Sequence, residues 1–130
     1  MAYGTLKADV IQSDTAGVAP QFNDGNGTQT GTLCRAWVNF NGTGTVAIRA
    51  SFNVSSITDN GTGDYTINFT TALPDANYSS VASGSYAGSA TVRVFTFDDT
   101  TRSTTQCRLY NMNGAGIMTD TVIASVSIFR

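Results

Sequence analysis

The stretch Thr45-Val46-Ala47-Ile48-Arg49-Ala50-Ser51-Phe52-Asn53-Val54 places Val46, Ile48, Ala50, Phe52 and Val54 on one side and Thr45, Ala47, Arg49, Ser51 and Asn53 on the other. That is the two-residue period of an extended strand, and it predicts one strand with a dry face and a mostly wet one. The same alternation runs from Asp64 to Thr70, with Tyr65, Ile67 and Phe69 opposed to Asp64, Thr66, Asn68 and Thr70. This strand also covers a core on one side. Composition agrees: Leu occurs four times and Glu never, whereas Val and Ile together supply 17 residues and Thr another 20. Branched side chains suit a pleated sheet better than a helix, so the domain reads as all-β.

Three further stretches are apolar on both sides. Cys34, Ala36, Val38 and Phe40 share a face with Trp37 opposite them; Val92 and Val94 oppose Phe95 and Phe97; Val122, Ala124, Val126 and Ile128 oppose Ile123 and Phe129. A strand dry on both faces needs a second cover, and symmetric self-association is the simplest source. Trp37, Phe95, Phe97, Ile123 and Phe129 are therefore the expected interface residues, and a monomeric sandwich filling its own second face is the plainer alternative.

Turn chemistry joins these pieces. Asn41-Gly42-Thr43-Gly44 and Asn60-Gly61-Thr62-Gly63 supply the positive φ that tight hairpins need. From Thr15 to Thr32 aromatic and aliphatic residues thin out, which reads as a loop or extended arm after a short strand at Thr5 to Ile11. The expected organisation is an N-terminal attachment arm over 1–33, and over 34–130 a single antiparallel β-sandwich, jelly-roll-like. A chain of 130 residues is enough for one such core.

The charge inventory excludes much chemistry. All nine acids are Asp, the bases are six Arg and Lys7, and His is absent. No Ser-His-Asp triad, Cys-His dyad, His-containing zinc site or Glu acid can be assembled, so no enzyme, catalytic residue, metal or cofactor is expected. A net charge of -2 without a basic cluster argues against nucleic acid. No run reaches the length of a membrane span, and Met1 to Val10 lacks the pattern of a secretory signal. Cys34 and Cys107 read as two buried free thiols of a protein made in a reducing cytoplasm, with a disulfide as the alternative. Six Asn-X-Ser/Thr sequons, at Asn26, Asn41, Asn53, Asn60, Asn68 and Asn77, read as turn and strand-face chemistry rather than glycosylation. Asp98-Asp99, like Asp59 and Asp64, flank loops with no calcium-loop spacing and read as solvated turns.

One part of the sequence is familiar. Gly31-Thr32-Leu33-Cys34-Arg35-Ala36-Trp37-Val38-Asn39-Phe40-Asn41-Gly42-Thr43-Gly44, then Ala47-Ile48-Arg49, Phe52 to Tyr65 and Thr71-Ala72-Leu73-Pro74-Asp75-Ala76-Asn77-Tyr78, resembles a bacteriophage tail-fibre domain of the type found in phages of aquatic bacteria. Gly4-Thr5-Leu6-Lys7 and Ala16-Gly17-Val18-Ala19-Pro20 look like that family's lead-in. The resemblance implies a virion structural protein, commonly a homotrimeric fibre tip touching the host surface, joined to other virion proteins by its arm. Capsid decoration is the alternative virion location. For a fibre tip the partner is a host-surface polysaccharide or protein. Contacts are then expected on loops near aromatics, at Tyr78, Tyr86, Asp98, Asp99, Arg102, Tyr110, Asn111 and Asn113.

Overall fold

The computed structural model describes residues 21–23, 28–30, 34–85 and 92–130, and its ordered elements are all strands. The chain divides into two units, Met1–Leu33 and Cys34–Arg130. In the first unit, β1 (Gln21–Asn23) pairs antiparallel with β2 (Thr28–Thr30). A hairpin thus stands where the thinning of apolar residues predicts a loop or extended arm. Apart from Phe22 the ladder is Gln, Asn and Thr, and paired backbone groups hold it without apolar alternation. The expected strand at Thr5 to Ile11 lies outside the described residues.

The second unit is the expected antiparallel sandwich. It comprises β3 (Cys34–Asn41), β4 (Ala47–Phe52), β5 (Val54–Gly61), β6 (Asp64–Phe69), β7 (Ser79–Ser85), β8 (Arg93–Asp98), β9 (Gln106–Asn113) and β10 (Ile123–Phe129). The first sheet has the order β4-β3-β10-β7 and the second β5-β6-β9-β8. Two antiparallel four-strand sheets packed face to face make this unit a β-sandwich. Both Asn-Gly-Thr-Gly stretches lie at hairpins, β3–β4 and β5–β6.

The core lies between the sheets. Ala36, Val38 and Phe40 of β3 and Ala124, Val126 and Ile128 of β10 meet Tyr65, Ile67 and Phe69 of β6 and Cys107 and Leu109 of β9. Phe40 and Tyr65 touch edge to face, with ring centroids 5.2 Å apart. At one end the Tyr65 hydroxyl lies 2.7 Å from the Gly42 carbonyl oxygen and 2.9 Å from Asp120 Oδ1. Gly42 is required there, since a Cβ would stand 2.6 Å from that hydroxyl. Gly63, at φ 68, donates its N–H to the same Asp120 oxygen, so both hairpins are tied to the segment before β10. The two cysteines are free; Cys107 is buried, and desolvation pushes its thiol up to about 12.

The stretch from Thr45 to Val54 departs from expectation. It is two strands in different sheets, and all of β4 is exposed on both faces. A register shift opposite Asn39 and Phe40 leaves Arg49 without a cross-strand partner, so Ile48 pairs with Phe40 while Ala50 and Phe52 pair with Asn39 and Trp37. A bulge of this kind resets the alternation, and Ile48 and Phe52 leave each other's face. Asn53, at φ 54, then hands the chain to the second sheet. Its amide donates to the carbonyl oxygens of Arg35 and Thr71 and its Oδ1 accepts the Thr71 N–H at 2.7 Å, which secures this left-handed residue.

Phe95 and Phe97 are also corrected. They pair with Asn111 and Leu109 of β9, whose side chains face the core, and are themselves packed against it. Neither stands among the exposed large apolar residues, which are the ones a contact with another molecule would use. Space for Phe95 comes from β7, where a Cβ on Gly84 would lie 2.5 Å from its ring.

Candidate functional site

The two sheets present unlike outer sides. On the second, Asp64, Thr66 and Asn68 of β6 alternate with the core residues Tyr65, Ile67 and Phe69, and β9 places Arg108 and Tyr110 beside them. Arg108 grips Asp64 bidentately, Nε to Oδ1 at 2.7 Å and Nη2 to Oδ2 at 2.5 Å. The Arg108 guanidinium also lies 5.2 Å from the centre of the Tyr110 ring. Tyr110 donates its hydroxyl to Asp98 Oδ2 at 3.1 Å, and Asp98 Oδ1 accepts from the Thr100 N–H and hydroxyl. Asn60 donates to Asp64 Oδ1 and Thr66 Oγ1, and Asn68 donates to Ser56 Oγ and Thr58 Oγ1. The result is a polar ladder across four strands whose members bond one another.

Electrostatics follow this geometry. The Arg108 hydrogen bond holds the Asp64 carboxyl below its ordinary range, and the Thr100 hydroxyl does the same for Asp98. Desolvation and then the Asp98 hydrogen bond push the Tyr110 hydroxyl up. Both sets of partners favour the ionised carboxylate. Among the described residues no three metal-ligating side chains gather.

The expected contact residues divide. Asp98 and Tyr110 come together on this face, with Asp99 exposed beside them. Arg102 serves the fold: Nη1 donates to the Tyr78 carbonyl oxygen at 2.7 Å, the guanidinium covers the Tyr78 ring at 4.8 Å, and Nη2 reaches Asp99 at 3.4 Å. Tyr78 is not a surface contact. It is 3% exposed, packs edge-on to Phe69 and donates to the Gln106 carbonyl oxygen, because its aromatic ring closes the end of the core. Asn111 is likewise corrected: it is fully buried, with its amide donating to the Thr119 carbonyl oxygen. Asn113 accepts the N–H groups of Ala115 and Ile117 and shapes the turn after β9. Tyr86 lies outside the described residues. Asp64, read from the sequence as part of a solvated turn, and Thr66 stand in the wet half of the Asp64–Thr70 alternation, whereas Asn60 of β5 and Arg108 of β9 lie outside it and sequence reasoning misses them.

On the first sheet the outer side carries a row of paired residues, Phe52 of β4, Trp37 of β3, Ser127 of β10 and Val81 of β7. Phe52 is 55% exposed, Val81 57%, Trp37 39% and Ile123 38%. The next row, Ala50, Asn39, Ser125 and Ser83, is small and polar, with one hydrogen bond, Asn39 Nδ2 to Ser125 Oγ at 2.9 Å. Of the expected interface residues, Trp37, Ile123 and Phe129 belong to strands of this sheet, Trp37 in the first row. Phe52 and Val81 were missed. The bulge in β4 and the weak apolar content of Ser79–Ser85 hid them. Comparison with family models, with curated proteins and with solved structures finds no match.

Proposed function

We propose that this chain is a bacteriophage virion structural protein, non-enzymatic, placed at a tail fibre or fibre tip and contributing to host-surface attachment. The observation that carries the reading is the contrast between the two outer sides: one sheet leaves Trp37, Phe52 and Val81 uncovered, whereas the other, Val94 apart, offers a self-bonded polar surface. A module that must both assemble and face water has this division of labour. The resemblance of Gly31 to Tyr78 to a phage tail-fibre domain supplies the virion setting. In this reading the first unit joins the fibre, copies associate as a trimer, and the second sheet with Asp98, Asp99 and Tyr110 faces outwards.

Labelled protein tested on host cells and on particles lacking it decides the matter. Saturable cell binding that blocks phage adsorption is expected. Absence of cell binding with stoichiometric rebinding to capsids overturns the fibre reading in favour of decoration.

A further inference from the structure

We propose that Asn113 is a site of spontaneous covalent modification: the Gly114 backbone nitrogen attacks the Asn113 side-chain carbonyl carbon, expels ammonia and leaves a succinimide that water opens to aspartate or isoaspartate. The inference rests on the turn after β9 and is independent of the virion reading.

Three Asn-Gly pairs lie among the described residues, Asn41-Gly42, Asn60-Gly61 and Asn113-Gly114, and a fourth, Asn26-Gly27, lies outside them. The chemistry asks the same things of each: a glycine N–H free to become the nucleophile, a polarised side-chain carbonyl, and an amide nitrogen able to leave. Glycine favours the attack because no Cβ crowds its nitrogen. At Asn41 the nucleophile is taken, since Gly42 is buried and its N–H donates to the Thr121 carbonyl oxygen at 2.9 Å. The leaving nitrogen is held too, with Asn41 Nδ2 donating to the Thr43 carbonyl oxygen at 2.7 Å. At Asn60 the Gly61 N–H donates to Asp59 Oδ1 at 3.0 Å, and Asn60 Nδ2 donates to Thr66 Oγ1 at 2.9 Å and Asp64 Oδ1 at 3.2 Å. Both pairs are bonded in the sense that opposes reaction.

Asn113 is arranged the other way round. Its Oδ1 accepts the Ala115 N–H at 2.9 Å and the Ile117 N–H at 3.0 Å. These donors polarise the carbonyl and face the negative charge that grows on its oxygen as nitrogen adds to Cγ. The turn draws its donors from Asn113, Ala115, Gly116 and Ile117, which leaves the Gly114 N–H out of it. Residues 114–117 are exposed, so hydroxide and water reach the site. The bond from Gly114 N to Asn113 Cγ forms, the Cγ–Nδ2 bond breaks, and the Gly114 N–H proton leaves with the ammonia. Water then adds at Cγ to give aspartate, or at the backbone carbonyl carbon to give isoaspartate.

Either product adds a negative charge to a chain whose net charge is -2. Isoaspartate also routes the backbone through the side chain and lengthens it by a carbon. The turn it disturbs ties the Asn113 N–H to the Ile117 carbonyl oxygen at 2.9 Å and bridges Met112 to Met118, so the end of β9 is loosened.

The test is peptide mapping by mass spectrometry of the full chain held in mildly alkaline buffer, native and in urea. In the native chain Asn113 is expected to gain the mass of an amide-to-acid exchange at least about tenfold faster than Asn41 and Asn60. In urea the three are expected to react within about threefold of one another, since the fold no longer distinguishes them. Gly114→Ala is expected to slow Asn113 by about tenfold, because a Cβ crowds the attacking nitrogen. That Cβ would stand 3.5 Å from Val92 Cβ, an ordinary contact that leaves the fold intact, which circular dichroism checks. Native Asn41 or Asn60 reacting as fast as Asn113, a preference that persists unchanged in urea, or an unaltered rate in Gly114→Ala would each overturn the inference.

Discussion

The outer sides of the two sheets arise from strands of similar alternation, yet they solve the problem of their outward residues differently. On the second sheet Asp64, Arg108, Tyr110 and Asp98 occupy neighbouring strands at matching positions and satisfy one another. Apart from the exposed Val94, that side is complete in water. On the first sheet the outward positions hold Trp37, Phe52 and Val81 among serines, and a cross-strand pair of side chains bonds at Asn39 and Ser125. Which residues stand next to each other across strands, more than how polar each strand is, decides whether a sheet face is finished or waits for a partner.

The largest effects belong to the core that both faces share. Ile67→Ala, at a fully buried β6 position, is expected to cost about 2–5 kcal/mol. Ile48→Ala on the exposed β4 is expected to stay below about 1 kcal/mol. Urea unfolding of the two variants checks this, and equal losses would break the distinction between a strand that builds the core and one that merely borders it. Tyr65→Phe comes next, at about 1–3 kcal/mol, because it strips a buried carbonyl and carboxylate of their shared hydroxyl.

Asp64→Asn probes the finished face and is expected to lower stability at pH 7 by about 1–2 kcal/mol, the bidentate pair being partly screened. Its pH dependence has a definite sign. The folded carboxyl lies below its unfolded value of 3.8, so its contribution is present above that value and is lost as pH falls through the lowered folded one. Urea midpoints of wild type and Asp64→Asn are expected to differ at pH 7 and converge in acid. The smallest effect is expected at the unfinished face: Phe52→Ser, in dilute protein, shifts stability by less than about 1 kcal/mol, since little is buried there. A larger loss would mean that Phe52 serves the fold of the single copy.

Much of the fold was legible because burial writes itself into the two-residue period. Tyr65, Ile67 and Phe69, and likewise Ala124, Val126 and Ile128, sit where alternation puts them. Thr45 to Val54 alternates equally well and misleads, because the bulge at Arg49 and the left-handed Asn53 are tertiary choices made opposite β3. Strand β7 left almost no trace: its inward Ser80, Ala82 and Gly84 are small, and at Gly84 a Cβ would meet the Phe95 ring. Asp98 and Tyr110, expected on loops, stand on β8 and β9, and the polar residues misled most where a polar group serves the interior. Tyr78 and Asn111 are of that kind, their polar atoms bonded to backbone at the ends of the sandwich.

The sequence holds a single tryptophan, Trp37, and the proposed function has copies associate through the apolar side of the sheet on which it stands. Acrylamide quenching of its fluorescence, followed from dilute protein to concentrations where sedimentation shows association, tests that assignment most directly. Quenching is predicted to fall as copies associate, in step with the mass. Constant quenching while the mass rises would contradict the account, because association would then be using some other surface.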